Sequence, residues 1–319
     1  MATTESASPS SLPQGPLSID KWAAISGRWQ FSGTRVKYLG PDESSARVPL
    51  GIALGSIRFR DGRVSTRVKL SRGEHTTAGI LFGFQSLNAS YVVAQIGAFN
   101  KAYAISEYRP GYGWLSHGDA GSLSNIDVSS EHQLDVEVNG QSIRMTVDDV
   151  DVLSVVLNRP IDGTGMGLYA WGDAEIDFTE TIVQGVAPRI FVIMPFTEPF
   201  DSLYHDVIFP VADKLGFEII RVDEIPGPGI ILDDIQTQIE QAHAVVAEIS
   251  THNPNVFYEL GYAHALRKPA VLLVRRDEGG KMPFDVRGYR AIFYDDSIGG
   301  KKSVERTLEQ HLRAIVKDS

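Results

Sequence analysis

The hydrophobic pattern of this chain changes its period once, near residues 184–188, and this change constrains the fold more than any other feature. From about Ile19 to Gln184, short runs alternate apolar and polar residues between Gly, Asn, Asp and Ser, which is typical of β-strands. After Pro188, continuous apolar runs alternate with segments of helical period. The sequence therefore predicts a multidomain protein with an all-β part followed by an α/β part.

The first part is predicted to be an all-β sandwich of the jelly-roll type. No helical segment occurs between alternating runs such as 64–70. Asn139–Gly140 lies between two of these runs, 133–138 and 142–147. Asn-Gly is a strong hairpin signal because both turn positions need positive φ. Roughly ten or more strands favour two packed sheets. We expect residues 1–17 to be a disordered leader and residues 18–186 to form a recognition or assembly domain.

Residues 187–319 are predicted to form a doubly wound parallel sheet with helices on both faces. We expect the flavodoxin-like strand order 2-1-3-4-5, in which ligands bind beyond the carboxyl ends of the strands. The predicted strands are 189–194, 217–222, 244–249, 270–274 and 290–294, and the predicted helices are 200–215, 231–242, 255–267 and 303–316.

Composition excludes several classes of function. Without cysteine the chain has no disulfide, no thiolate metal site and no cysteine nucleophile. Thirty Lys and Arg against 40 Asp and Glu give a net charge of −10, which argues against general nucleic-acid binding. No apolar run reaches the roughly 18 residues of a membrane span, and the first residues lack the features of a secretory signal. We expect a cytoplasmic protein with no metal site, no cofactor and no membrane contact.

Glu259 is the main candidate for chemistry. Asn253 is the expected cap of a helix that starts at Pro254, and Asn255 and Glu259 share one face of that helix. Glu259 does not occupy the capping-box position, which is taken by Val256. A partly desolvated carboxylate at such a cleft is a candidate nucleophile or general base, and the alternative is an ordinary solvated surface Glu.

Four runs of the second part, "RIFVIMPF", "IEQAHAVVAEIS", "NPNVFYELGYAHALRKPAVLL" and "PFDVRGYRAIFY", resemble the nucleoside 2-deoxyribosyltransferase-like family, which is related to the TIR-type NAD-cleaving fold. The resemblance covers about residues 187–319. It implies that Glu259 is the nucleophile that attacks the anomeric carbon of a ribosyl or deoxyribosyl group. Two positions that are commonly Asp in this family are His243 and Glu248 here, which puts strict deoxyribosyl transfer in question.

The function implied by this resemblance is cleavage or transfer at an N-glycosidic bond of a nucleoside, a nucleotide or an NAD-like substrate. A carboxylate stabilises the oxocarbenium-like state of such a reaction, and Glu248 is the candidate for a second catalytic group. The rings of Phe196 and Tyr258 are candidates for stacking on a base, although core packing is the alternative for them. The candidate substrate-binding residues are Met194, Pro195, Phe196, Asn253, Asn255, Tyr258, Asp285 and Arg287.

The first part resembles the concanavalin A-like lectin and glucanase sandwiches through "GMGLYA" and "AEIDF". This resemblance implies glycan or protein binding without catalysis. Exposed aromatic residues on a sandwich loop can stack on sugar rings, and the candidates are Tyr108, Tyr112 and Trp114. A basic cluster is interpreted as a solvated sheet face, or otherwise as a surface for phosphate or an acidic partner. Its members are Arg58, Arg60, Arg63, Arg67, Lys69 and Arg72.

Two other functions stay open at this point: a non-catalytic nucleotide sensor, and a glycan-binding protein in which the second part serves assembly. The expected partners are a nucleotide or nucleoside and a glycan or protein ligand of the sandwich. A homo-oligomer is also expected, and analogy between folds suggests a role in bacterial defence.

Overall fold

The computed structural model describes residues 16–19, 21–42, 48–71, 76–127, 130–224, 231–278, 286 and 288–317. Within these residues the chain forms two antiparallel sheets, sheet A and sheet B, and one parallel sheet, sheet C. Among the helices described, none has the length and apolar character to cross a membrane.

Sheet A is built from strands that are spread over the whole N-terminal part. They are β1 (Leu17–Ser18), β3 (Trp29–Ser32), β4 (Arg35–Tyr38), β6 (Gly62–Leu70), β11 (Glu131–Asn139), β12 (Ser142–Val147), β13 (Val150–Val156) and β15 (Ile176–Gly185). Their order across the sheet is β13-β12-β11-β6-β15-β4-β3, and β1 pairs with β15.

Sheet B contains the other seven described strands of the N-terminal part. They are β2 (Trp22–Ser26), β5 (Leu50–Arg58), β7 (Thr77–Phe84), β8 (Tyr91–Ile96), β9 (Lys101–Arg109), β10 (Gly113–Ser122) and β14 (Gly165–Trp171). Their order is β10-β9-β8-β7-β14-β5-β2, and a short 3-10 turn, Leu123–Asn125, follows β10.

The core of the sandwich lies between the two antiparallel sheets. Val64 and Val68 of β6 point into it from sheet A, and Ile80 and Phe82 of β7 point into it from sheet B. Arg63, Ser65 and Arg67, which alternate with the buried residues of β6, are more exposed, as one solvated face requires. Every residue of β7 is buried, because Leu81 on the opposite face belongs to a second apolar cluster. Sheet B is therefore covered on both faces near its centre.

Sheet C contains β16 (Arg189–Ile193), β17 (Glu218–Arg221), β18 (Ala244–Glu248), β19 (Ala270–Arg275) and β20 (Ala291–Tyr294). All its pairs are parallel, and the order is β17-β16-β18-β19-β20. Numbered in chain order within this part, the strands of sheet C are arranged 2-1-3-4-5.

The helices lie on both faces of sheet C. They are α1 (Phe200–Leu203), α2 (Phe209–Lys214), α3 (Ile231–Gln241), α4 (Pro254–Ala265) and α5 (Ile298–Lys317). A π turn, Tyr204–Ile208, joins α1 to α2, so one irregular helix covers the predicted range 200–215. Pro210 explains this irregularity, because its missing N–H removes one helical hydrogen bond.

Strand β16 shows how the apolar run of the sequence serves two layers. Ile190 and Val192 pack into one cluster with residues of α1, α2 and α5. Phe191 and Ile193 pack into another cluster with residues of α3 and α4. Both faces of the strand are buried, which is why its sequence is continuously apolar.

The sandwich and the α/β part touch through the hairpin turn between β11 and β12. The backbone N–H of Gln141 donates to the carbonyl of Glu240 at 3.0 Å, and its side-chain Nε2 donates to the carbonyl of Leu266 at 2.9 Å. Gly140 has φ +59°, and a Cβ placed there would lie 2.7 Å from the carbonyl oxygen of Gln241. Only glycine allows the turn to approach the end of α3 this closely.

The predicted leader is one residue too long. Leu17 pairs with Val183, so it already belongs to sheet A. Residues 1–15 lie outside the described part of the chain. The change from antiparallel to parallel pairing falls between Gly185, which ends β15, and Arg189, which begins β16.

Candidate functional site

The carboxyl ends of the strands of sheet C meet at one edge, where the sequence places most of its candidate residues. Met194 and Pro195 follow β16 directly and are buried, whereas the ring of Phe196 is exposed. The guanidinium carbon of Arg221, the last residue of β17, lies 5.5 Å from the centre of that ring. Of the three predicted residues Met194, Pro195 and Phe196, Phe196 is thus the one available to a ligand.

Arg221 organises this edge and was not predicted from the sequence. Its Nη1 atom donates to Asp201 at 2.7 Å, and its Nε and Nη2 atoms donate to the two carboxylate oxygens of Asp223. Its guanidinium also lies over the ring of Tyr204, 4.2 Å from the ring centre. The sequence does contain a signal for this residue, namely an Arg at the end of an apolar strand.

Glu248 ends β18 and is completely buried. Tyr294 donates its hydroxyl to Glu248 Oε1 at 3.0 Å, and Ser250 donates both its hydroxyl and its backbone N–H to the same carboxyl group. Burial raises the pKa of Glu248 to about 7, although these hydrogen bonds oppose the rise. The carboxyl group binds Ser250 and Tyr294 and is not presented to solvent, so its expected catalytic role would need the side chain to move.

Glu259 lies on the second turn of α4, and the start of this helix is as expected. Asn253 caps it by accepting the N–H of Asn255 at 3.0 Å, and Pro254 takes the first helical position. The Glu259 side chain is 9% exposed and makes no hydrogen bond or ion pair with another described residue. Burial alone raises its pKa to about 7. Such a carboxyl group changes its charge near neutral pH and has no partner to compensate that charge.

The other predicted residues of this edge differ in exposure, and two of them are not described by the structure. Asn255 and Tyr258 are exposed, and the Tyr258 hydroxyl accepts a hydrogen bond from Gln236 of α3 at 3.2 Å. Asp285 and Arg287 lie outside the described residues. No group of three or more His, Asp and Glu side chains suited to a metal ion occurs in the described ranges.

A second candidate site lies on the face of sheet B that points away from sheet A. We call it the aromatic face and define it by Tyr91, Phe99, Tyr108, Trp114 and Tyr169. The rings of Tyr91 and Tyr108 stack at 5.2 Å, and Trp114 meets each of the other four rings edge-on at 5.6–6.2 Å. Trp114 therefore forms the centre of the aromatic face.

The aromatic face extends over several strands of sheet B. Trp114 lies on β10 and Tyr169 on β14, and three strands separate β10 from β14 in the sheet. With a spacing of about 4.8 Å between strands, a flat sheet would hold these two residues roughly 19 Å apart. Their ring centres are 5.7 Å apart, so the two side chains extend toward each other over the strands between them.

Two polar side chains are buried on the same face. Gln95 lies two residues beyond Val93, and Ser106 is paired with Val93, a residue of the apolar cluster on this side of sheet B. Gln95 Nε2 and Ser106 Oγ are buried and have no hydrogen-bond partner among the described residues. Burying an unpaired polar group costs about 1–3 kcal/mol, so these two atoms need an explanation beyond packing.

The predicted aromatic loop is mostly strand. Tyr108 belongs to β9 and Trp114 to β10, and both are half-buried, while Tyr112 at the turn between them is 84% exposed. Phe99 was missed by sequence reasoning. It is 58% exposed and has φ +53°, and an aromatic residue at a Gly- and Asn-containing turn is the signal that points to it.

Comparisons with known proteins concern the first part of the chain. No family model and no curated protein matches this chain. The carbohydrate binding module CBM66 from Bacillus subtilis is 16% identical, with a TM-score of 0.43, over 51% of this chain and 94% of that chain. A Bacillus licheniformis beta-glucanase is 9% identical, with a TM-score of 0.41, over 54% and 97%. The Caenorhabditis elegans galectin LEC-6 is 12% identical, with a TM-score of 0.31, over 46% and 94%.

Each of these similarities covers about half of this chain. The resemblance of residues 187–319 to the nucleoside 2-deoxyribosyltransferase-like family finds no support in these comparisons and rests on sequence motifs alone.

Proposed function

We propose that the sandwich binds a saccharide on the aromatic face of sheet B. The observation that carries this proposal is the position of Phe99. An exposed aromatic side chain in the left-handed region costs backbone strain of about 1–3 kcal/mol and gains little burial. The two-residue turn Phe99–Asn100 between β8 and β9 requires this positive φ, and Gly or Asn adopts it with less strain than Phe. An exposed aromatic ring at such a position is better explained by a ligand that covers it.

The chemistry of the face supports a sugar ring. Pyranose rings present apolar C–H faces, which pack on aromatic side chains such as Phe99 and Trp114. Their hydroxyl groups need polar partners, and Gln95 and Ser106 have unused hydrogen-bonding atoms on the same face of sheet B. An apolar surface with a few convergent polar groups is the usual composition of a small-ligand site.

Affinity electrophoresis of the full chain in gels with soluble neutral polysaccharides tests this proposal. We expect retardation by at least one polysaccharide and about tenfold weaker binding by Phe99→Ala. Phe31→Ala is the matched control, because Phe31 is an exposed aromatic residue of the same sandwich on sheet A. The absence of retardation, or equal binding by both variants, would contradict the proposal.

A second candidate function, cleavage of an N-glycosidic bond, is favoured by Glu259. A carboxylate in an apolar setting without a partner is costly, and functional sites are where such costs are tolerated. Its negative charge would stabilise an oxocarbenium-like state, and Phe196 and Tyr258 are exposed aromatic rings of the same part.

Incubating the full chain with NAD and with a panel of nucleosides, and separating the products chromatographically, tests this second function. Release of free base supports it. Nucleotide binding without any base release would contradict catalysis and favour a nucleotide sensor.

A further inference from the structure

A cleft of about 580 Å³ lies between the sandwich and the amino edge of sheet C, opposite the edge that carries Glu248. Phe59, Arg60 and Ile161 line it from the sandwich. His243 and Lys268 line it from the α/β part, just before β18 and β19 begin. Its volume is within the range of about 300–1,000 Å³ that is usual for small-ligand sites.

The cleft is rich in basic side chains although the chain as a whole is acidic. Asp162 is the acidic residue among those lining it, and it pairs with Arg159. The basic residues that line the cleft are Arg60, Arg159, His243, Arg267, Lys268 and His311. The three arginines supply the positive charge, because burial lowers the pKa of His243 to about 3 and the pKa of Lys268 to about 7. This concentration of positive charge favours an anionic occupant.

Two of these cations have unused donors. The guanidinium groups of Arg60 and Arg267 form no hydrogen bond and no ion pair within the described part of the chain, whereas that of Arg159 is bound to Glu107 and Asp162. Arg60 is also partly buried, and this burial lowers its pKa. A guanidinium group that is removed from water without a hydrogen-bonded carboxylate is costly, unless an anion binds to it.

His243 gives a second, independent indication. Its side chain is almost completely buried at the wall of the cleft, and its Nδ1 atom has no hydrogen-bond partner among the described residues. Buried polar atoms are nearly always paired, so this atom indicates a missing polar group at the wall.

The remaining lining is apolar. Pro160 and Ile161 contribute from the sandwich, and Pro269 and Ile315 contribute from the α/β part. A small inorganic anion would leave most of this surface uncovered, so the occupant needs an apolar group in addition to its charge.

We propose that this cleft binds an organic phosphate whose charged group pairs with Arg60 and Arg267 and whose flat apolar group covers Ile161 and Pro269. Arginine suits this role because its planar fork of donors matches the oxygens of a phosphate. The ligand contacts both parts of the chain, so its binding stabilises their contact.

Isothermal titration calorimetry of the full chain with ADP and UDP tests the proposal, with inorganic phosphate and adenosine as partial ligands. We expect ADP or UDP to bind at least tenfold more tightly than either partial ligand, because each of these lacks one of the two required groups. Equal affinity for inorganic phosphate or for adenosine would overturn the proposal, as would a lack of binding by both nucleotides.

Charge-removing variants locate the site. Arg60→Gln and Arg267→Gln should each weaken nucleotide binding about tenfold, which corresponds to one lost charge-assisted hydrogen bond. Arg144→Gln is the matched control, since Arg144 is an exposed residue of β12 away from the cleft. Arg267 is exposed, so its variant tests the site even where Arg60→Gln lowers stability.

Tyr258→Ala distinguishes this cleft from the carboxyl edge of sheet C. Nucleotide binding that is lost in Tyr258→Ala and retained in Arg60→Gln and Arg267→Gln would overturn the proposal and place the nucleotide at the other edge. Binding that is retained in Tyr258→Ala and Arg144→Gln and weakened in the two cleft variants supports it.

Discussion

His243, immediately before β18, contacts Asp61 of the sandwich through its Nε2 atom and the Asp61 Oδ2 atom. Both side chains are buried. Burial raises the pKa of Asp61 to about 7 and lowers the pKa of His243 to about 3. The other carboxylate oxygen of Asp61 accepts the backbone N–H of Gly140 at 2.5 Å. Since burial favours the neutral form of both groups, this is a close contact between two neutral side chains rather than an ion pair. Asp61 Oδ2 has no hydrogen-bond partner among the described residues.

A fragment that starts at Val186 should fold on its own, because the α/β part has apolar clusters on both faces of sheet C. Removing the sandwich exposes His243, so its pKa should return toward its ordinary value of 6.5. NMR titration of the His243 ring in the fragment and in the full chain measures this change.

In the full chain, neutral His243 contributes stability that is present above pH 6.5 and lost as the pH falls toward 3, since the unfolded chain binds the proton first. An insoluble fragment, together with a full chain that unfolds in one cooperative transition, would show that the division at residues 186–188 is wrong.

Gly140→Ala should weaken the contact between the sandwich and α3. The new Cβ would lie 2.7 Å from the carbonyl oxygens of Gln241 and Ala242, and alanine also resists the positive φ. Gly111→Ala is the matched control, because Gly111 has φ +80° but no atom within 4 Å of its Cβ position. We expect a loss of about 1 kcal/mol for Gly111→Ala, from the backbone alone, and a clearly larger loss for Gly140→Ala, measured by denaturant unfolding. Equal losses would mean that the close approach is relieved without cost.

The sequence predicts the α/β part well because its strands are buried on both faces and its helices are amphipathic. The sandwich is predicted less completely. The alternating pattern does not single out β2, β3, β10 and β13, which are the strands at the edges of sheets A and B, and it also leaves out β1, β4 and β9. Edge strands bury less of their surface, so their sequences carry less apolar alternation, as the polar and Gly-containing β10 illustrates.

The two candidate sites of the α/β part also differ in how well the sequence predicts them. Glu259 was predicted because its signal is local, namely a capped helix and the spacing of its apolar face. The basic cleft was not predicted, because Arg60, His243 and Lys268 come from distant segments that only the contact between the two parts brings together. Arg60 was included in a basic cluster of the sequence, but nothing there indicated that it faces the α/β part.

Trp114→Ala should lower stability considerably. The Trp114 ring contacts four aromatic rings, and removing it leaves an unfilled space on the aromatic face. We expect a loss of about 2–4 kcal/mol by denaturant unfolding, as for other large-to-small changes at buried or half-buried positions. Tyr112→Ala should change stability by less than about 0.5 kcal/mol, because Tyr112 is exposed. A small effect of Trp114→Ala would show that the ring is peripheral to packing and serves only as a binding surface.

Glu259→Gln should stabilise the protein at alkaline pH. Folding raises the pKa of Glu259 from 4.5 to about 7, so the folded chain holds this proton more tightly than the unfolded chain. The stability linked to Glu259 is present below pH 4.5 and lost as the pH rises toward 7, and the difference in pKa corresponds to about 3 kcal/mol. The stability contribution of Gln does not depend on pH. Asp61 and Glu248, whose pKa values are also raised to about 7, are present in both proteins, so their effect cancels in the comparison. The gain in stability of Glu259→Gln over the original protein should therefore grow between pH 5 and pH 8.

Denaturant unfolding at both pH values measures this gain, and Glu305→Gln on the exposed face of α5 should show none. A constant difference between Glu259→Gln and the original protein across this range would mean that Glu259 is solvated in solution.

The same Glu259→Gln variant decides the role of this residue in catalysis. Gln keeps the size of the side chain and its capacity for hydrogen bonding, but it removes the charge that would stabilise or trap an oxocarbenium ion. Losing a nucleophile raises the barrier by about 4 kcal/mol or more, so base release from the active substrate should fall by three orders of magnitude. Ligand binding should be retained, and Glu305→Gln should react like the original protein. Base release and ligand affinity are measured on the same preparation. Full activity of Glu259→Gln would exclude the nucleophile role, and base release from neither protein, with binding intact in both, would leave a nucleotide-binding site without catalysis at this edge of sheet C.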